Sequence, residues 1–329
     1  MTRVYVLHES PGWYAPLDAA LTRRGVPHAE IFLDRDVVDL SDTPPPGVYF
    51  NRLSGTAHTR GHELAVEHCR VLLRWLEALG RRIVNGREAL ELAMSKSALL
   101  VALDAFGIRI PETVTAIGQD RLVEAASRFR RPFLVKPNRG GKGLGIVRFE
   151  SRDELSRRIE SHGLVDSVDG VYVVQELVKS PDPFITRAEF IGGEFLYALR
   201  SETGRGFNLC PADTECASQA GRPGFQIPTD FDHPILDAYR RFLKHHDVEI
   251  GAIEFIVDDA GNAYTYDLNI NTNYNAEAET AAGRSGMDAI AKFLGRELAL
   301  FSESGSGRTT VRRREQAMGA RAIPKSVAV

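Results

Sequence analysis

Two acidic residues and an asparagine lie in a pair of short, largely apolar segments near residues 251–269. The segments GAIEFIV and AYTYDLN flank a DDAG turn, a pattern typical of a β-hairpin. With the turn centred near Ala260–Gly261, Glu254 and Asp267 are directly opposite each other, and Asn269 shares the face of Asp267. Facing carboxylates repel each other unless a cation lies between them. Carboxylate and amide oxygens suit Mg²⁺, which commonly completes its shell with phosphate and water, whereas the alternative is a polar hairpin that faces solvent.

The alternation along the second strand of this hairpin supports the cation interpretation. It predicts that the apolar and aromatic residues between the polar ones pack on the opposite face, namely Tyr264, Tyr266, Leu268 and Ile270.

A second segment, FLVKPNRGGKGLGIV at 133–147, joins an apolar run that holds Lys136 to a glycine cluster. The cluster contains Gly140, Gly141, Lys142, Gly143 and Gly145. Strand, flexible loop and strand are therefore predicted. Glycines let backbone N–H groups approach an anion and lysines add positive charge, which suits a nucleoside triphosphate. The loop by itself is equally consistent with a plain glycine-rich hairpin.

These two segments complement each other, because phosphoryl chemistry needs cations from both the protein and a metal around the triphosphate. The run VYVVQEL at 171–177 lies between them and is followed by prolines at 181 and 183. A strand end of this kind, at Gln175 to Val178, offers backbone groups to an adenine edge; the alternative is an ordinary strand end.

The first ninety residues alternate short apolar strands with helices, which indicates a small α/β domain with a largely parallel sheet. Strands are predicted at 4–7, 31–33, 48–50 and 83–84, and helices at 14–24 and 62–79. Arg52 follows the third strand. Because ligands collect at the C-terminal ends of parallel strands, Arg52 is a candidate for a substrate carboxylate, with a surface arginine as the alternative.

The rest of the chain predicts two further lobes. A helix over 88–106 is expected to break near Met94–Ser95, followed by a strand at 113–116, a helix at 119–128 and a capping box at Ser151 and Glu154. Gly192–Gly193 predicts a hairpin between 184–191 and 194–200. A loop over 204–224, a helix at 234–246, and helices at 276–282 and 287–300 follow, before an arginine-rich polar tail that is predicted to be disordered.

The composition is that of an ordinary globular protein. The chain has 329 residues, 43% of them hydrophobic and 26% charged, with a formal net charge of −3, so it gives no general case for nucleic acid or an anionic membrane. The longest apolar runs are too short for a membrane span or a signal peptide. Three cysteines, Cys69, Cys210 and Cys216, argue against a disulfide framework and fit a reducing cytoplasm.

The order of these segments resembles that of the ATP-grasp superfamily, and more narrowly that of the RimK-like glutamate ligases and related carboxylate–amine ligases. The resemblance covers most of residues 1–300 and is carried by SKSALLVALDAFGIRIPET, FLVKPNRGGKGLGIV, VVQEL, ITRAEFIGGEFLYALR and GAIEFIVDDAGNAYTYDLNIN. It implies an ATP-grasp fold of α/β class preceded by a parallel-sheet α/β domain. The implied divisions are 1–94, a small lobe at 95–178, a large lobe at 179–302 and a tail at 303–329.

The resemblance also implies roles for individual residues. It assigns nucleotide contacts to Lys96, Lys136, Gly140, Gly141, Lys142, Gly143, Gln175, Glu176, Leu177 and Val178. It assigns metal binding to Glu254, Asp267 and Asn269, and catalytic positions to Arg187 and Arg205.

Three departures from the family pattern stand out. The aspartate expected two residues before Arg187 is Ile185, so Asp182 is the candidate for the ribose contact. Asp267 stands where glutamate is more usual. The loop at 207–226 has no counterpart in the glutamate ligases, so substrate identity does not transfer.

The implied function is an ATP-dependent ligase that joins a carboxylate to an amine through an acyl phosphate, with Mg²⁺, or alternatively Mn²⁺, as the metal. The partners would be small molecules, an amino acid, a peptide or a carrier protein; no nucleic acid or membrane partner is expected, and a homodimer is a family-level expectation only. Two alternatives stay open: a kinase on the same fold that phosphorylates a hydroxyl, and a non-catalytic nucleotide-binding regulator.

Overall fold

A computed structural model of the chain describes residues 2–34, 37–182, 184–202 and 224–303. Within these ranges the strands form three sheets. Arg205, most of the loop expected at 204–224 and the tail from residue 304 lie outside the described residues. None of the helices in the described ranges is long and apolar enough to cross a membrane.

The first sheet is parallel and four-stranded, as the sequence predicts. Its strands are β1 (Arg3–His8), β2 (His28–Phe32), β3 (Gly47–Asn51) and β4 (Arg82–Val84), in the order β2-β1-β3-β4. The helices are α1 (Pro11–Arg23), α2 (Ala65–Ala78) and α3 (Arg87–Met94). Every residue of β3 is buried, because helices cover both faces of a parallel sheet.

The two faces of this sheet belong to different cores. Leu7 and Tyr49 pack with the apolar face of α2, whereas Val6 and Phe50 pack with α1 and with α9 (Gly286–Glu303), the last helix within the described residues. Helix α9 therefore completes the core of the N-terminal domain.

The second sheet is antiparallel and carries the glycine loop. Its strands are β5 (Thr113–Ile117), β6 (Phe133–Pro137), β7 (Val147–Phe149) and β8 (Val171–Glu176), in the order β5-β8-β6-β7. Helix α4 (Lys96–Ala105) precedes it, and Ser95 breaks the predicted long helix because its hydroxyl caps α4 by accepting a hydrogen bond from the N–H of Ala98 at 3.1 Å.

The helix expected at 119–128 is instead divided. A 3₁₀ turn at Gln119–Arg121, the short helix α5 (Leu122–Ala125) and a second 3₁₀ turn at Ala126–Arg128 occupy this stretch. Helix α6 (Arg152–His162) begins at Ser151, whose hydroxyl accepts a hydrogen bond from the N–H of Glu154 at 3.2 Å.

The third sheet forms the base of the cleft described below. Its strands are β9 (Phe184–Ile191), β10 (Glu194–Glu202), β11 (Phe225–Gln226), β12 (Ile250–Val257) and β13 (Ala263–Asn269), in the order β11-β10-β9-β12-β13. The predicted hairpins at Gly192–Gly193 and at the DDAG turn are both present. Helices α7 (Ile235–His245) and α8 (Ala276–Ala282) pack beside it.

Asn85 joins the first sheet to the third. Its backbone is left-handed, with φ at 60°, and its side chain is fully buried. The amide donates to the carbonyl of Ile250 at 2.7 Å and accepts from the N–H groups of Glu249 and Ile250 at 3.0 and 3.1 Å. The start of β12 is thus held in place by one side chain.

We expect Asn85→Ala to lower the free energy of unfolding by about 2–4 kcal/mol, because it leaves buried backbone groups of β12 without partners and places alanine at a left-handed position. Equilibrium urea unfolding measures this. Asn262→Ala is the matched control, since the Asn262 side chain bonds to Asp258 within an exposed turn, at 3.0 Å, and its loss should cost less than about 1 kcal/mol. Equal losses in the two variants would contradict the assignment.

Candidate active site

Glu254 and Asp267 are direct partners in the β12–β13 ladder, as the sequence predicts. Asn269 pairs with Ala252, one step further along the same face. All three polar residues line a cleft of about 390 Å³ between the third sheet, the glycine loop and the N-terminal domain.

The alternation predicted for β13 fails at Tyr266. The register shifts beside Glu254, so that Asp267 pairs with Glu254 but Thr265 pairs with Phe255, and Tyr266 is an extra residue. A β-bulge of this kind redirects side chains. Tyr266 therefore lines the cleft instead of packing on the opposite face. Tyr264 changes face as well, because it now pairs with the cleft-lining Ile256, whereas Leu268 and Ile270 join the core as expected.

Arg187 extends this polar row across the next strand. It is the ladder partner of Glu254 on β9 and is 6% exposed. Its Nε donates to Glu189 Oε1 at 2.7 Å, and its Nη1 lies 3.5 Å from Glu254 Oε1. Within the described residues its buried Nη2 has no hydrogen-bond partner, although Arg187 lines the cleft.

The acidic pair has the electrostatics of a cation site. Burial, followed by repulsion from Asp267, raises the pKa of Glu254, and the nearby guanidinium of Arg187 only partly opposes this. The Asn269 amide N–H groups point at both acids, 3.4 Å from Glu254 and 3.2 Å from Asp267. Two carboxylates and an amide fit a hard divalent cation, with the amide turned so that its oxygen faces the ion.

Lys136 is the second-last residue of β6, just before the glycine loop, and is 7% exposed. Its Nζ donates to Gln175 Oε1 at 2.6 Å and lies 5.2 Å from the centre of the Tyr266 ring. Burial and the charge of Lys96 lower the pKa of Lys136 to about 8, although Asp267 and Glu254 oppose the shift. A buried ammonium group therefore faces the acidic row.

The glycine loop is packed against the N-terminal domain. Lys96 Nζ donates to the carbonyl of Gly140 at 2.9 Å, and a side chain on Gly141 would press against Thr56 at 3.2 Å. Lys142 has a left-handed backbone, with φ at 60°, and its Nζ lies 4.8 Å from the centre of the Trp13 ring. Each of these residues lines the cleft, including Lys142.

The predicted hinge lines the cleft from Gln175 to Val178, but its members differ in what they contact. The side chain of Gln175 accepts from Lys136 and donates to Thr113 at 3.0 Å, so it holds the lysine in place. Glu176 is hydrogen-bonded to Glu112, the residue just before β5. The N–H of Glu176 donates to the carbonyl of Glu112 at 2.9 Å, and the carboxylate of Glu176 accepts from the N–H of Glu112 at 2.8 Å. Apolar side chains that suit a flat base line the same end, namely Leu134, Ile146 and Ile185.

Asp182 and Ile185 both line the cleft, and the ribose contact of Asp182 stays a prediction. Arg205 lies outside the described residues. Sequence reasoning missed Trp13, Ser54, Thr56, Asn271 and Asn273, which line the cleft. The alternation of asparagines in NINTNYN, in step with Asn269, was the available signal for Asn271 and Asn273.

The surface alternative for Arg52 is wrong, because the side chain is 1% exposed. Its guanidinium donates to the carbonyl of Trp13, to the carbonyl of Thr272 at 3.0 Å and to Asn273 Oδ1 at 3.1 Å. These bonds join the N-terminal domain to the segment after β13. The guanidinium supports the wall of the cleft and is not itself among the lining groups.

Comparison with known proteins starts from curated sequences. No family model matches the chain. Over 107 residues it is 29% identical to alpha-aminoadipate–LysW ligase LysX of Sulfurisphaera tokodaii, and over 143 residues it is 30% identical to tetrahydromethanopterin:alpha-L-glutamate ligase of Methanosarcina acetivorans. These matches cover 32% and 41% of this chain, and the chain spans only 38% and 44% of the lengths of those relatives.

Solved structures match nearly the whole molecule. A RimK-domain ATP-grasp protein from Sphaerobacter thermophilus has a TM-score of 0.61 at 17% identity, covering 89% of this chain and 99% of that one. D-cycloserine synthetase DcsG has a TM-score of 0.63 at 18% identity, covering 90% and 99%. The ATP-grasp ligase PsnB, complexed with a minimal precursor, Mg and ADP, has a TM-score of 0.62 at 16% identity, covering 88% and 96%.

The chain has the ATP-grasp fold. The antiparallel second sheet lies within the range predicted for the small lobe, the third sheet lies within the range predicted for the large lobe, and the parallel sheet precedes both; this division stays a prediction. The predicted fold class is thus confirmed. The residues assigned from sequence to the nucleotide and metal of this fold line one cleft, while their individual roles stay predictions.

We expect Arg52→Lys to lower the free energy of unfolding by about 1–3 kcal/mol, because an ammonium group keeps the charge but cannot reach all three acceptors of the planar guanidinium. Arg70→Lys is the matched control: its ion pairs with Glu67 and Glu91 are partly exposed and should contribute less than about 1 kcal/mol. Urea unfolding of both variants provides the measurement. A stable Arg52→Lys protein that had lost only substrate affinity would favour the substrate role.

Proposed function

We propose that this protein is an ATP-dependent carboxylate–amine ligase that works through an acyl phosphate. The observation that carries the proposal is the buried row of Arg187, Glu254 and Asp267, which faces the buried Lys136 across one cleft. Lysine and arginine suit phosphate oxygens, and the acids suit the metal that accompanies a nucleotide. A nucleotide-sized cleft with both sets is what such a reaction requires.

The residues divide the work by position. Lys96 and Lys136 would hold phosphate oxygens. The ammonium group of Lys96 bonds to the carbonyl of Gly140 in the glycine loop, and Lys136 lies on the strand that leads into this loop. Arg187 would hold the phosphoryl group in transfer, because its Nη2 is the donor without a partner in the described residues. Mg²⁺ held by Glu254, Asp267 and Asn269 would neutralise charge that develops on the phosphates. The docked glycine loop would exclude water, which hydrolyses acyl phosphates.

The reaction needs no nucleophilic side chain. The substrate carboxylate attacks the terminal phosphorus of ATP and ADP leaves. The amine nitrogen then attacks the acyl carbon, the C–O bond to phosphate breaks, and a proton is lost from nitrogen. The curated relatives are named as ligases of glutamate or of alpha-aminoadipate with LysW, and another structure of PsnB is described as a complex with a precursor peptide, which supports amino acid or peptide substrates here.

We expect ADP release to be stimulated by one combination from a panel of amino acids, dipeptides and carrier-like peptides, and mass spectrometry to show the two substrates joined with loss of water. Asp267→Asn should lower kcat/KM by about 100-fold or more because it removes a charged metal ligand. Asp259→Asn, an exposed residue of the same hairpin, serves as the control. A stable phosphorylated substrate with no joined product would overturn the ligase proposal in favour of a kinase.

Nucleotide binding should weaken at high pH through Lys136. With a pKa of about 8 in the free protein, its ammonium group is mostly charged at pH 7 and loses its proton as the pH rises through 8. Phosphates bind the charged form, so metal-free ADP affinity should fall by about tenfold per pH unit above the pKa. Titration calorimetry between pH 7 and 9.5 measures this. Lys136→Gln should bind more weakly but with a flatter profile, and an unchanged slope would assign the decline to another group.

A further inference from the structure

Arg187 has two carboxylates to choose from. Glu189 is two residues further along β9 and therefore on the same face, while Glu254 is the ladder partner on β12. The guanidinium bonds to Glu189 at 2.7 Å through Nε, and only one long contact of 3.5 Å reaches Glu254. The shorter bond identifies Glu189 as the main counter-ion of Arg187.

The strand pairing in the third sheet explains how Glu189 can reach Arg187. Across the ladder, Glu189 faces Ala252 on one side and Tyr197 on the other. The small side chain of Ala252 separates Glu189 from Asn269, whose amide is the third predicted metal ligand. Glu189 thus leans toward Arg187 without crowding the cation site.

Without Glu189, the buried guanidinium of Arg187 would pair with Glu254 instead. Glu189 is 1% exposed and Arg187 is 6% exposed, so neither charge is compensated by solvent. Planar guanidinium groups form two parallel hydrogen bonds with carboxylates where geometry permits. Such a pair between Arg187 and Glu254 would occupy the oxygens that a cation needs.

We propose that Glu189 is a positioning residue that holds Arg187 away from Glu254, which keeps Glu254 available to a divalent cation. The presence of the cation rests on the proposed function. The proposal assigns the effect of Glu189 on the metal to the position of Arg187, and the double-mutant cycle below separates this effect from the direct repulsion between Glu189 and Glu254. Burial, which disfavours its charge, raises the pKa of Glu189, and Arg187 opposes this, as expected for a carboxylate that depends on one partner.

A double-mutant cycle with Mn²⁺ alone as the probe tests this. Free Mn²⁺ is titrated by electron paramagnetic resonance into the full chain without nucleotide. Glu189→Gln should weaken Mn²⁺ binding by about tenfold, in the range found for partners of metal ligands. In an Arg187→Met background the same substitution should have no further effect, because the competitor for Glu254 is gone.

The alternatives give different results. If Glu189 acts only as a nearby negative charge, Glu189→Gln weakens Mn²⁺ binding equally in both backgrounds, which overturns the proposal. Glu194→Gln, an exposed acid of the adjacent strand β10, should leave binding unchanged. Should Glu189→Gln fail to fold, Glu189→Asp keeps the charge but withdraws it from Nε, and is expected to show a smaller loss that also vanishes in the Arg187→Met background.

Failure of the proposal is distinguishable from failure of the proposed function. If the wild-type protein binds no Mn²⁺, or binds it at a site that Glu254→Gln leaves intact, both the role of Glu189 and the assignment of the metal ligands are overturned. A wild-type protein with such a site, but equal effects of Glu189→Gln in the two backgrounds, overturns only the role of Glu189. Ligase activity is measured separately, so neither result depends on finding the substrates.

Discussion

The third sheet buries a row of charged side chains, and the rest of the structure depends on how their charges are compensated. Glu254 and Asp267 face each other, and Arg187 lies on the other side of Glu254. Uncompensated charges of this kind cost several kcal/mol each when they leave water. Opposite charges offset part of this cost. Arg187 lies between Glu189 and Glu254, Lys96 also acts on Glu254, and Lys136 interacts with both Asp267 and Glu254.

This balance explains why the two lobes form one site. Three carboxylates, Glu189, Glu254 and Asp267, are accompanied by three cationic groups, Arg187, Lys136 and Lys96. A bound triphosphate would draw the lysines toward its oxygens and would leave the acids in need of another cation. On the proposed function, nucleotide and metal binding would be coupled by charge compensation, since each would supply what the other removes.

The N-terminal domain belongs to this arrangement through its packing. Asn85 fixes the start of β12, Arg52 fixes the segment after β13, and α9 covers the first sheet. Arg82 adds ion pairs to Glu249 and Glu297 across the same boundary. The strand that carries Glu254 is thus held from outside its own sheet, and the acid pair is set in a rigid frame.

Sequence patterns predicted much of this and failed for identifiable reasons. Period-two alternation and a turn centred near Ala260–Gly261 predicted the pair of Glu254 and Asp267. The residues next to the turn pair one position differently, and the bulge at Tyr266 brings Glu254 and Asp267 into the predicted register. The bulge at Tyr266 was not predictable, since no local signal distinguishes an extra residue from a continued strand. The burial of Arg52 was missed because its acceptors are mainly backbone carbonyls from distant segments, which carry no side-chain signature.

The glycine loop shows how a local pattern acquires its meaning from a distant one. A side chain on Gly141 would lie 3.2 Å from the methyl group of Thr56, and a side chain on Gly145, where φ is 73°, would lie 2.8 Å from the ring of Pro137. Lys142 adopts a left-handed conformation that costs a non-glycine residue about 1 kcal/mol or more, and its ammonium group lies over Trp13. The loop is therefore fitted to the N-terminal domain on one side and to the lysines of its own lobe on the other. A loop held in this way borders the same cleft as the acidic row. On the proposed function, the lysines that would meet phosphate oxygens and the acids that would hold the metal therefore face one nucleotide.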